Sequence, residues 1–178
     1  MYKKFLPVAV LLVVVIGLTG CGKKETTYIN TNEGVKTSSV TTYMIAEGDK
    51  GKQGKKIGCD DSLVPLTVAV AEYPVTDVVS SVKSAFAGLA SVKDSDLTEK
   101  KLSNPLKQSQ VKLDDVTVNA KGETEIKLSG VFTFSGICDA PRQRAQIEEL
   151  ITKASLGTPV KLSLNGLEEN WEKAFSSK

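Results

Sequence analysis

The apolar residues of this chain change period along its length, and that change constrains the fold more than any other feature. Val40-Thr41-Thr42-Tyr43-Met44-Ile45-Ala46 is dense in β-branched and aromatic residues and stops before Gly48, which predicts a strand. Leu63 to Val70 predicts a second, with Pro65 placing it at an edge or bulge. The period then becomes helical. Val75, Val78, Val79, Val82, Phe86 and Leu89 share one face of a helix opened by Pro74. Thr76 or Asp77 serves its first N–H groups, and Ala85 and Gly88 are small enough for close approach to a sheet. Alternation returns in Val111 to Asn119 and Glu123 to Phe134, a hairpin about Asn119-Ala120-Lys121-Gly122. Asp139-Ala140-Pro141 starts a second helix, capped by Asp139, with Ile147, Leu150, Ile151 and Ala154 as its apolar face and Gly157 as its stop. Val160 to Leu164 is a last strand, and Leu167, Trp171, Ala174 and Phe175 share one side of a short C-terminal helix. Residues 91–110 are a long polar connection, broken at Asn104-Pro105 and anchored by Leu97, Leu102 and Leu106. The order β-β-α-β-β-α-β predicts an α+β two-layer sandwich. Two helices pack on one face of a small mixed or antiparallel sheet, whose other face is more polar.

The amino-terminal segment follows other rules. Lys3 and Lys4 give a charged start, and an apolar run of about 14 residues extends from Phe5 to Leu18. This is the pattern of a secretory signal peptide, short of the ~20 residues that span a bilayer. Leu18-Thr19-Gly20-Cys21 resembles the lipobox of bacterial lipoproteins: an aliphatic residue, two small ones, then cysteine. The resemblance implies a diacylglyceryl group on the Cys21 thiol, cleavage just before it, and an extracytoplasmic chain held to the cell membrane, or to an outer membrane where one exists. A plain signal anchor and a buried apolar helix are the alternatives. Residues 1–20 then form the leader, 21–39 a lipidated tether of Lys, Thr, Asn, Ser and Gly, 40–167 the domain and 168–178 a tail. Gly22 stands where the Gram-negative inner-membrane retention signal has Asp.

Composition removes several classes of function. Cleavage after residue 20 leaves 158 of the 178 residues, and loss of Lys3 and Lys4 from 23 basic residues balances the 21 acidic ones. A neutral chain has no broad footprint for phosphates, which argues against nucleic acid, and its membrane attachment rests on acyl chains. The chain has no histidine, which removes Ser-His-Asp and Cys-His triads and most catalytic zinc sites. With Cys21 lipidated, Cys59 and Cys138 remain, an even pair in an exported chain that suggests a disulfide. Closing a loop of about 80 residues stabilises by roughly 4.5 kcal/mol in the chain-entropy model. The alternative is two reduced, buried thiols.

Several segments together resemble a known domain. They are Ile57-Gly58-Cys59-Asp60-Asp61-Ser62-Leu63-Val64-Pro65, Leu102-Ser103-Asn104-Pro105-Leu106, Leu128-Ser129-Gly130, Gly136-Ile137-Cys138-Asp139-Ala140-Pro141-Arg142 and Val160-Lys161-Leu162-Ser163-Leu164-Asn165-Gly166. Over residues 40–167 they resemble the GerMN domain of sporulation and spore-germination lipoproteins, whose members are similar to ring-building motifs of secretion-type assemblies. The resemblance implies a noncatalytic envelope lipoprotein that assembles or stabilises a larger complex. This chain carries one such domain where sporulation members carry two. The resemblance also brings Cys59, before the second strand, towards Cys138, before the second helix.

The candidate interaction patch is Asp60, Asp61, Asp139, Arg142 and Arg144. The three acids are read as turn and cap residues rather than a calcium site, because they lack the DxDxDG spacing. Arg142 and Arg144 oppose the dipole at the start of their helix, which marks them for an anionic partner. Ser62 with Lys55 or Lys56 is a weaker serine–lysine pairing, and Trp171 with Phe175 a further partner-binding edge. The expected function is a noncatalytic scaffold with an envelope protein or a second copy as partner, no catalytic residues, no metal, and no cofactor beyond the lipid on Cys21. The alternative is an envelope lipoprotein that binds a small ligand or wall fragment, or a small envelope hydrolase; either needs convergent polar groups in a pocket.

Overall fold

The computed structural model describes residues 29–30, 36–71 and 75–176. The leader, Cys21 and the Pro74 helix opening lie outside the described residues. The architecture is α+β, with helices packed on small sheets. One sheet has the order β1-β2-β4-β3: Ile29–Asn30 (β1), Lys36–Ala46 (β2), Lys55–Lys56 (β3) and Ser62–Ala71 (β4). The other has the order β5-β6-β7: Lys112–Val118 (β5), Thr124–Ser129 (β6) and Val160–Leu164 (β7). The expected strands are therefore present, but in two sheets rather than one. The hairpin β5–β6 is antiparallel, and β7 returns parallel to β6 after a long crossover.

β2 begins at Lys36, before the apolar run at Val40. Thr37, Ser38 and Ser39 pair with Ala71, Val70 and Ala69, because a ladder needs backbone groups and not apolar side chains. Pro65 lies beyond the short pairing of β3 with Ser62 and Leu63, where among the described residues no strand pairs with β4 on that side. In the hairpin turn the Asn119 carboxamide oxygen accepts the N–H groups of Lys121 and Glu123, and Gly122 takes a φ of 79°. β6 stops at Ser129 instead of running on to Phe134. Gly130 turns the chain at φ 113°, and a Cβ there would lie 1.7 Å from the Gln110 carbonyl oxygen.

Helix α1 (Val78–Ser91) starts at Asp77, whose carboxylate accepts the Ser80 N–H at 2.7 Å while the Ser80 hydroxyl accepts the Asp77 N–H. The 91–110 connection contains α2 (Asp94–Lys100) and a 3-10 turn at Pro105–Gln108. Helix α3 (Asp139–Ala154) has Cys138 at its N-cap, not Asp139, and Leu156 at φ 55° precedes Gly157 at φ 85° where it ends. Helix α4 (Glu168–Phe175) is the expected C-terminal helix; Trp171 is buried, whereas Leu167 is exposed.

Both sheets feed one core. Tyr43, Ile45 and Leu63 from the first sheet meet Val116, Ile126, Leu128 and Leu164 from the second, with Ile147, Leu150 and Ile151 of α3. Met44 and Leu66 instead join Val92 and Leu97 near α2 in a smaller cluster. Residues 42–46 are therefore buried on both strand faces, and the expected polar second face is absent there.

Candidate interaction surface

Three of the five candidate patch residues meet, and they face inward. Cys59, held at φ 61° in a 3-10 turn (Gly58–Asp60), is joined to Cys138 with their Cα atoms 5.9 Å apart. That bond brings Asp61 against the first turns of α3. Asp61 is fully buried, accepts the Gly48 N–H at 2.7 Å, and takes two hydrogen bonds from Arg142: Nε at 2.7 Å and Nη2 at 3.3 Å. Arg142 Nη1 reaches Glu47 at 3.0 Å and Asp139 at 3.7 Å. Hydrogen bonding to Asp61, with the carboxylates of Glu47 and Asp139, raises the guanidinium's already high pKa, although burial opposes it. Asp139 accepts the N–H groups of Ser135 and Gly136 and the Gln108 amide. Burial works against its charge, but these hydrogen bonds and Arg142 outweigh it and hold the carboxyl below the usual aspartate range.

This cluster is a knot between the 47–49 turn, the 58–62 turn and α3, and its charges answer one another. Asp61 and Arg142 are thus corrected from an interaction patch to internal structure. The signal for that role, an Arg 81 positions from its Asp, has no local spacing to reveal it. Asp60 turns outward and pairs with Lys56 at 3.0 Å. Lys55 pairs with Glu149 at 2.6 Å, and the Ser62 hydroxyl donates to Asp49, so neither activates the other. Among the described residues no cluster of His, Cys, Asp or Glu is placed to hold a metal ion, and no helix is long and apolar enough to cross a membrane.

Arg144 belongs to a different surface. It reaches Glu148 at 2.8 Å and Glu172 of α4 at 3.1 Å, and its guanidinium carbon lies 5.9 Å from the centre of the Phe175 ring. Phe132, Phe134, Trp171 and Phe175 stack here, with Phe132 and Phe175 centroids 4.6 Å apart. A groove of about 980 Å³ runs beside them, lined by Phe134, Ile137, Ala140, Pro141, Arg144 and Phe175. Ile137 is 93 % exposed, Val131 66 % and Phe134 39 %. The sequence pattern points to Phe175, Trp171 and Arg144, but it predicts Phe132 and Phe134 on a strand, and β6 ends before them. Apolar residues confined between Gly130 and Gly136, both strand breakers, are the signal against that strand.

A second groove, of about 600 Å³, opens between α1 and the first residues of β5. Asp60, Asp61, Asp139 and Arg142 line neither groove. No protein-family model matches the chain, and no curated protein or solved structure matches it.

Proposed function

We propose that this chain is an extracytoplasmic lipoprotein, tethered through Cys21, whose GerMN-like domain is a noncatalytic docking module for an envelope protein. The observation that carries the docking role is the exposed apolar face of Phe134 and Ile137 beside α4. An isoleucine with 93 % of its surface in water is ordinary alone, but joined to the exposed aromatic carbon of Phe134 over one groove it marks a contact site. The groove is pre-formed, because Phe175 of its lining is held against the rings of Phe132 and Trp171, and the Cys59–Cys138 bond anchors the chain next to Ile137. Export is supported by that cysteine pairing, which persists in oxidising compartments, together with the lipobox-like Leu18-Thr19-Gly20-Cys21.

A photo-reactive residue at position 137, activated in intact cells, tests the reading. The expected result is one defined protein adduct in the membrane fraction, lost when Phe134→Asp is added. Adducts limited to a sugar or short peptide would favour the ligand-binding alternative, and no adduct would overturn both.

A further inference from the structure

We infer that the groove between α1 and β5 takes an extended peptide segment that alternates apolar and acidic residues and pairs along β5. This goes beyond the docking face above and does not depend on the lipid anchor. β5 ends its sheet: β6 lies on one side, and among the described residues no strand lies on the other. Its outer edge therefore offers backbone groups at the strand repeat, about 3.3 Å per residue, which an added strand can match.

The opposite wall is helical. Phe86, Ala87 and Ala90 of α1 face Val111 and Leu113 across the groove, with Leu106 at one end. The small alanines leave room for a guest backbone, and the larger side chains receive every second residue of it. The rim sets the charge of the guest. Lys83 stands on the helix wall and Lys112 on the strand wall, and among the described residues no salt bridge engages either. Lys107 is already held by Asp94, and the single acid of the lining, Asp114, accepts the Ser129 hydroxyl at 2.7 Å. Asp114 keeps its charge, so Lys83 and Lys112 leave a modest positive surplus; carboxylates on the guest are favoured and lysines are repelled. The register shift between Leu113 and Asp115 falls at Asp114, inside the groove, which limits regular pairing to the short segment before it.

The probe is a fluorescein-labelled peptide of alternating valine and glutamate, titrated into the full chain in detergent and compared with its valine–lysine counterpart. The glutamate peptide should bind, with exchange of backbone amides slowed around residues 111–114. Reversal of both charges, Lys83→Glu with Lys112→Glu, should weaken it roughly tenfold, about 1.4 kcal/mol. Ala90→Trp, at an exposed position, should abolish binding by filling the groove while the chain stays folded. No binding, equal binding of the two peptides, or binding indifferent to Ala90→Trp would overturn the inference.

Discussion

Asp61 has no exposed surface and answers Arg142 with both oxygens, so the pair behaves as one unit. Arg142→Ala leaves a buried carboxylate with only the Gly48 N–H, and the expected loss is about 3 kcal/mol. Asp61→Ala leaves Arg142 with Glu47 and Asp139 and is milder. The double variant should lose clearly less than the sum, read from urea midpoints; strictly additive losses would contradict the pairing. Asp139 gives a pH test. Its folded carboxyl titrates below the ordinary value of about 4, so its stabilisation is present above that pH and fades as pH falls through the depressed value. Asp139→Asn should therefore make the acid limb of stability shallower below about pH 4, with an unchanged limb contradicting this assignment. The sequence exposed these residues as polar and adjacent to turns. It concealed their partners, because an ion pair closed across 81 positions depends on the packing of α3 and not on any local pattern.

At the level of elements, periodicity was a good guide wherever a segment had one wet side. α1, the hairpin and β7 lie close to where their patterns place them. It was a poor guide where backbone geometry overrode side-chain type. Phe132 and Phe134 read as strand residues, but Gly130 turns them into the aromatic stack against α4. The close approach foreseen at Gly88 is present: an added Cβ would lie 2.5 Å from Val40 Cγ2 and 3.0 Å from Val68 Cγ2. Both valines are branched and stiff, so they yield poorly. Gly88→Ala should gain up to about 1 kcal/mol of helix propensity and lose more, about 1–3 kcal/mol, by overpacking. A lower thermal midpoint that recovers when Val40→Ala is added is the expected outcome, whereas a stabilised Gly88→Ala would show that α1 and the sheet have slack.

The whole molecule joins two sheets through one core, and no pattern in the sequence separates that arrangement from a single sheet. Strand period reports which side is buried and not which strand is the neighbour. The α+β class was therefore legible from the order of elements, while the division into β1-β2-β4-β3 and β5-β6-β7 was not. The Cys59–Cys138 link, whose ends are 79 positions apart, ties the turn before β4 to the start of α3 and so fixes the rim of the proposed docking face. The most direct test of the account is intact-mass analysis of the chain recovered from cell membranes without reductant, after thiol labelling in denaturant. The expected species begins at a diacylglyceryl-modified Cys21 and carries no label on Cys59 or Cys138. A cytosolic chain that retains residues 1–20 and is labelled at both positions would contradict it.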